Sequence, residues 1–280
     1  MAAATALAGA VAFETIAMDT SLWVIGTVCL GLLLAAREIG GLLRRWHDRR
    51  RGAESIELEE FSMTSVLGLL ALLIGFTFSL ALQRYEVRRD LVIQEANAIG
   101  TTWLRYGLLD ADDRDRLRAL LRRYVDARIA FGQAQTGAQR AAANQRTSML
   151  QQQLWSGTTE ALAPTRTTVL DALILVPLNE SIDLAGARKA HHDASVPTRL
   201  LRLLFAYGLV SAGTIGYQRR EFRAASTVVL LLFTLAGTVI LDLDRPTTGG
   251  ITVPQQPMLD LQRNIAPPPA ATTPLAHRVG

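Results

Sequence analysis

The stretch FSMTSVLGLLALLIGFTFSLALQ, residues 61–83, decides the fold of this 280-residue chain. It has no charged side chain along its length and is followed directly by Arg84. A helix rises about 1.5 Å per residue, so this run spans roughly 34 Å, more than the roughly 30 Å hydrocarbon core of a bilayer. Helices buried in soluble proteins rarely remain uncharged on every side. The run therefore predicts a transmembrane helix.

Three further apolar runs predict three more spans. They cover Thr20–Ala36, Leu203–Gln218 and Ala224–Leu241. The middle run lengthens to Leu200 if Arg202 extends its side chain back to the headgroups. The alternative is a soluble core of four apolar helices, which the uncharged surfaces of these helices disfavour. No segment alternates convincingly with period two, so the predicted fold class is all-α: an integral membrane protein with four transmembrane helices and an inserted helical domain.

The inserted domain lies between the second and third spans. Residues 83–199 carry 16 basic and 13 acidic side chains of the 54 in the chain, which predicts a soluble domain. No glycine or proline occurs between Thr77 and Ile99, so the second span should continue out of the membrane as one helix. Asp110 is placed to cap the next helix. The apolar positions of that helix, which repeat at helical spacing, are Leu117, Leu120, Leu121, Tyr124 and Val125.

The remaining segments complete five predicted regions. Helices at about 139–162 and 170–189 finish the inserted domain, the second bent or interrupted at Pro177. The paired spans occupy residues 20–82 and 200–244, which leaves an N-terminal tail at 1–19 and a Pro-rich tail at 245–280. The start of the chain is apolar but lacks the basic residues of a signal peptide, which favours an amphipathic tail over a cleaved signal. The C-terminal tail is too rich in proline for a helix and too polar for a core, so we expect it to be largely disordered.

Composition and motifs argue against an enzyme. The single cysteine, Cys29, excludes a disulfide framework and a cysteine-based zinc site. The adjacent His191 and His192 diverge on a helix and make a poor metal site. Glycine-rich phosphate loops and the common hydrolase motifs are absent from the sequence. We predict no catalytic residues, no metal and no cofactor, and the small net charge of +4 argues against nucleic-acid binding.

The densest basic segment, Arg44–Arg51, follows the first span. It is either a binding site for an anionic lipid or nucleic acid, or a topology signal. The positive-inside rule places this loop, and the arginine-bearing loop between the third and fourth spans, in the cytoplasm. Both termini and residues 83–199 are then extracytoplasmic. Abundant alanine and arginine with a single lysine are typical of a GC-rich bacterial genome, so we expect the bacterial inner (plasma) membrane.

Several segments of the chain resemble the bestrophin-like domain family. The longest is GFTFSLALQRYEVRRDLVIQEANAIG, residues 75–100, and the others are Leu178–Leu184, Val196–Pro197, and Leu241–Pro246 with Gly249. This family consists of uncharacterised four-span membrane proteins, mostly bacterial. It is similar in outline to the bestrophins, which are pentameric anion channels whose second transmembrane helix lines the pore. The residues that match the family motifs are Glu95, Asn97, Asp244, Arg245, Pro246 and Gly249.

The resemblance implies a pore role for the second span. The pore-lining candidates share one side of the helix, and they are Leu72, Phe76, Ser79 and Gln83. The candidates for a charged vestibule lie just past the bilayer, and they are Arg84, Arg88 and Arg89. The alternatives are a helix-packing surface for the first set and a solvated, salt-bridged face for the second. We expect Glu95 and Asn97 to hydrogen-bond a neighbouring helix rather than to act chemically.

Two functional hypotheses follow. The leading one is a bestrophin-like ion channel: a homo-oligomer in the lipid bilayer that passes anions along its second helix. The competing one is a non-conducting membrane sensor or scaffold whose helical domain binds a partner. Oligomeric state separates them, because a monomer with four spans has too few helices to enclose a water-filled path.

Overall fold

The structure, a computed structural model, describes residues 21–51, 57–164, 168–218 and 223–267. This part of the chain is mainly helical and contains no strand, which confirms the predicted all-α class. A short 3₁₀ turn, Tyr106–Leu108, separates the second and third helices. The helices in chain order are α1 (Leu22–Arg51), α2 (Glu57–Arg105), α3 (Ala111–Gln133), α4 (Gly137–Leu162), α5 (Thr168–Asp193), α6 (Thr198–Gln218), α7 (Arg223–Asp244) and α8 (Gln256–Asn264).

Four helical segments of the described residues are long and apolar enough to cross a membrane, and each overlaps one of the four predicted spans. They are Leu22–Arg50, Thr64–Leu108, Val169–Gln218 and Arg223–Asp244. The second belongs to α2, which runs unbroken for 49 residues. The predicted continuation of the second span past Ile99 is therefore confirmed. Helix α5 also continues through Pro177, so the chain is not interrupted there.

Residue contacts divide the chain into two compact units. The first comprises Met1–Arg88 and Ala190–Val253, and the second comprises Arg89–Lys189 and Pro254–Gly280.

Glycines let two helices of the first unit pack closely. A Cβ atom on Gly40 of α1 would overlap the carbonyl oxygen of Gly213 in α6. A Cβ atom on Gly216 would in turn overlap the carbonyl oxygen of Arg37. Small residues give helices in a membrane their closest approach, and here they set the α1–α6 distance.

In the second unit, α3 packs against α4 and α8. Of the five residues predicted for the apolar face of α3, four are fully buried and Leu120 is half-buried, so the buried face is confirmed. The four are Leu117, Leu121, Tyr124 and Val125. Asp110 occupies the N-cap position of α3 as predicted, but its side chain makes no capping hydrogen bond.

The C-terminal segment departs from the prediction. We expected residues 245–280 to be too rich in proline for a helix, and this is wrong for Gln256–Asn264, which form α8. Pro257 lies in the first turn, where its fixed φ and missing N–H suit a helix start. Met258 is fully buried, and α8 contacts α3. The predicted tail at residues 1–19 and the disorder predicted for residues 268–280 lie outside the described residues.

Candidate functional site

The four pore-lining candidates lie together on one exposed face of α2. Leu72 and Phe76 have exposed fractions of 53% and 66%, and Ser79 and Gln83 are exposed as well. Phe76 and Leu72 are large apolar side chains in the part of α2 that is long and apolar enough to cross a membrane. In a single chain this face is left for lipid, for a neighbouring subunit or for a pore.

The opposite side of the same part of α2 is buried in the first unit. Leu70 and Ala81 belong to its hydrophobic core. Thr77 is fully buried, and its hydroxyl donates a hydrogen bond to the carbonyl oxygen of Leu73 at 2.7 Å. The span is thus anchored along one side and exposed along the other.

The three vestibule candidates do not share one environment. Arg84 is half-buried and Arg89 is exposed. Arg88 is buried, with an exposed fraction of 4%, which differs from the solvent-facing position expected for a vestibule residue. Its position in the interior is explained by its hydrogen bonds.

The guanidinium of Arg88 donates to main-chain carbonyl oxygens at the ends of two helices. Nε donates to His191 at 2.9 Å and Nη2 to Ala194, at the end of α5. Nη1 donates to Leu243 at 3.3 Å and to Asp244 at 3.2 Å, at the end of α7. The last carbonyls of a helix have no partner within the helix, so Arg88 satisfies groups that would otherwise be costly to bury.

The motif residue Asp244 completes this cluster. Its Oδ1 accepts a hydrogen bond from the backbone N–H of Val196 at 2.9 Å and lies 3.8 Å from Nη2 of Arg88. The carboxylate therefore holds the start of the chain segment leading into α6 and pairs with the buried cation. Both contacts lie within the first unit.

A neighbouring carboxylate explains why the C-terminal motif has a glycine at position 249. Asp242 accepts hydrogen bonds from the backbone N–H groups of Gly250 at 2.7 Å and Ile251 at 3.1 Å. A Cβ atom on Gly249 would overlap Oδ1 of Asp242. Pro246 accepts a backbone hydrogen bond from Val253 at 3.2 Å, which closes the same turn. These contacts give the motif, which also includes Arg245, a structural role in ending α7.

The other motif residue on α2, Glu95, forms a buried ion-pair cluster in the second unit. Its Oε1 accepts from Nε of Arg128 on α3, and its Oε2 accepts from Nη1 of Arg188 on α5 at 2.7 Å. Glu95 and Arg128 are both 0% exposed. The expected hydrogen bonding of Glu95 to neighbouring helices is present, whereas Asn97 is exposed.

Two features offset the excess positive charge of this cluster. The ring of Phe131 lies under both guanidinium groups, 4.7 Å from Cζ of Arg128 and 5.8 Å from Cζ of Arg188. Gln255, just before α8, accepts a hydrogen bond from Nη2 of Arg188. Burial raises the pKa of Tyr124 to about 12, so its hydroxyl is neutral beside the cluster.

Sequence reasoning missed Arg128 and Arg188. Both lie far from Glu95 in the chain and in segments without a motif. Their partner is defined only by the packing of α3 and α5 against α2. The one available signal was the placement of an arginine next to the apolar stripe of α3.

These features define a multi-pass all-α membrane protein. It has four helices able to span a membrane, an inserted helical unit, and a buried arginine, Arg88, bound to main-chain carbonyls. The sequence profile of the Bestrophin-like domain family matches residues 30–258. The chain belongs to this family. A comparison with curated proteins gave no significant match.

Solved structures with a similar fold come from a bacterial bestrophin homologue of Klebsiella pneumoniae. The structure phased with zinc has a TM-score of 0.66 at 14% identity, and the match covers 85% of this chain and 96% of that chain. A tryptophan-to-alanine variant has a TM-score of 0.69 at 14% identity, covering 88% and 97%. A leucine-to-threonine variant has a TM-score of 0.67 at 13% identity, covering 86% and 97%. At this identity the likeness establishes the fold.

Proposed function

We propose that this bestrophin-like membrane protein is a homo-oligomeric ion channel in which α2 lines the pore. The observation that carries the proposal is the exposed stripe on α2, from Leu72 to Gln83, opposite a face anchored in the first unit. A helix held along one side has its other side free to line a pore at the centre of an oligomer. Phe76 supplies a hydrophobic constriction, and Ser79 and Gln83 supply polar groups beyond it.

The oligomer follows from the number of spans. Four helices in one chain enclose a packed core rather than a water-filled path, so several copies must surround the conduction pathway. In this arrangement Arg89, which is exposed, and Arg84, which is half-buried, lie near the mouth and concentrate anions there.

For the location we propose the bacterial inner membrane, with residues 83–199 outside the cytoplasm. The support is the positive-inside rule applied to the short loops. The arginines that flank the domain on its own side, and the inside location of the corresponding region in bestrophins, argue for the inverse. A phosphatase fused at Gly137 should be active, and activity of only a cytoplasmic reporter at the same position would invert the orientation.

Two measurements on the same preparation test the function: the anion flux through liposomes and the mass of the particle in detergent. Purified protein in liposomes should dissipate an anion gradient, and light scattering in detergent should give a mass of several copies. A monomer without flux would contradict the proposal and would favour the sensor or scaffold hypothesis. An oligomer without flux under either polarity of voltage would do the same.

A further inference from the structure

A basic pocket in the first unit lies apart from the stripe on α2. It is formed where α1 leaves its apolar part, where α6 ends and where α7 begins, and its cavity volume is about 110 Å³. A cavity of this volume has room for a group larger than one water. The residues that line it are Arg37, Glu38, Gly41, Leu42, Arg45, Gly216, Arg223 and Ser226.

Three guanidinium groups and one carboxylate line this pocket. Glu38 accepts hydrogen bonds from Nη2 of Arg37 at 2.8 Å and from Nη2 of Arg223 at 3.0 Å. Arg37 also donates from Nη1 to the hydroxyl of Thr227 at 2.7 Å. Glu38 therefore neutralises only one of the three cations, and the beginning of α7 adds positive potential.

The third cation, Arg45, has unused hydrogen-bonding capacity. Its side chain is half-buried, and within the described part of the chain its buried Nε atom has no hydrogen-bond partner. A buried donor without a partner costs free energy, which a bound acceptor would recover. The pocket thus has one buried N–H donor without a partner and two more guanidinium groups than carboxylates.

The chemistry and the place of the pocket identify the ligand. Guanidinium groups match the oxygens of a phosphate in charge and geometry. Along the chain, the pocket residues come after the apolar part of α1, at the end of the apolar part of α6 and at the start of that of α7. In a four-span protein these ends lie at the level of the lipid headgroups. We propose that this pocket binds the phosphate group of an anionic phospholipid, with Arg45 and Arg223 as its principal ligands and Glu38 as an internal competitor. The proposal does not depend on ion conduction.

Thermal unfolding of the full chain in detergent measures this binding. Dioctanoyl phosphatidylglycerol should raise the unfolding midpoint in a saturable way. Dioctanoyl phosphatidylcholine should bind more weakly, because its choline group is repelled by the same arginines. Inorganic phosphate without lipid distinguishes the source of the phosphate: protection by phosphate alone that needs Arg45 assigns the pocket to a free phosphate ion and supports its chemistry.

Three variants separate the pocket from general surface charge. Arg45→Gln should weaken the apparent affinity for phosphatidylglycerol about tenfold, the value of one lost charge-assisted hydrogen bond. Glu38→Gln should strengthen it, because the internal competitor loses its charge. Arg49→Gln removes the same charge from an exposed position on α1 and should leave the affinity nearly unchanged.

Arg45→Gln and Glu38→Gln are expected to change the affinity in opposite directions, so the test stays decisive even if one variant folds poorly. Equal losses in Arg45→Gln and Arg49→Gln would overturn the proposal, because binding would then follow net charge alone. Unchanged or weaker binding in Glu38→Gln would also overturn it. Equal affinity for phosphatidylcholine and phosphatidylglycerol would exclude an anionic lipid as the ligand.

Discussion

The two faces of α2 differ in whether their side chains have partners inside the protein. On the buried face, Thr77, Arg88 and Glu95 all have hydrogen-bond partners within their own unit. On the exposed face, Phe76 and Leu72 keep more than half of their surface accessible. The buried face explains how the helix is held, and the exposed face is what remains for function.

This difference separates two kinds of basic residue that look alike in the sequence. Arg88 and Arg89 are neighbours, yet one is bonded to the ends of α5 and α7 and the other points to solvent. Burying a charge costs much free energy unless the charge is paired or hydrogen-bonded. Substitutions on the buried face should therefore change stability, and those on the exposed face should change conduction.

The largest effect is expected for Glu95→Gln. It leaves two buried guanidinium groups without a carboxylate, which should cost about 3–5 kcal/mol of unfolding free energy. Adding Arg128→Met should recover part of this loss, because one uncompensated charge is removed with it. Denaturant titration of the purified protein measures both changes.

The control for this substitution is Glu86→Gln, at an exposed position of the same helix. It should change the stability by no more than about 0.5 kcal/mol. Similar losses for Glu86→Gln and Glu95→Gln would show that the buried cluster does not hold the second unit together.

A smaller loss of stability is expected for Arg88→Met. Methionine fills similar space but leaves the carbonyl oxygens at the ends of α5 and α7 without their donor, at a cost of about 2–4 kcal/mol. Arg89→Met, one residue further on, should be close to neutral. If the two variants unfold at the same midpoint, the distinction between the faces is not an energetic one.

The exposed face should respond in another observable. Arg89→Glu should shift the reversal potential away from the anion equilibrium, because a ring of negative charge repels anions at the mouth. Its free energy of unfolding should stay within about 0.5 kcal/mol of the wild-type value, as for other surface substitutions. A stability loss without a change in selectivity would remove Arg89 from the vestibule.

Much of the architecture could be predicted from local sequence. The four spans and the continuity of α2 depend on uncharged runs and on the absence of helix-breaking residues, which are local properties. The buried state of Arg88 was not predictable, because its partners are main-chain carbonyls more than a hundred residues away. Helix α8 was missed because its proline count suggested disorder, whereas Pro257 sits at a helix start and Met258 finds a core.

Helical spacing predicted that the stripe residues share one side of α2, whereas their role in lining a pore stays a prediction. Helical spacing alone places Leu72, Phe76 and Ser79 on one side, and the structure leaves that side exposed. Spacing does not determine which side of a helix faces the rest of the chain. Arg84, Arg88 and Arg89 were therefore grouped by sequence although they occupy three different environments.

Single-channel recording of Phe76→Ala beside Phe78→Ala tests the central claim most directly. The two phenylalanines lie on the same span but about 160° apart around the helix, and both are exposed in the single chain. If α2 lines a pore, Phe76→Ala widens its constriction and raises the unitary conductance, whereas Phe78→Ala leaves the conductance unchanged. Equal conductance in the wild type and both variants, or no conduction in any of them, would contradict the account.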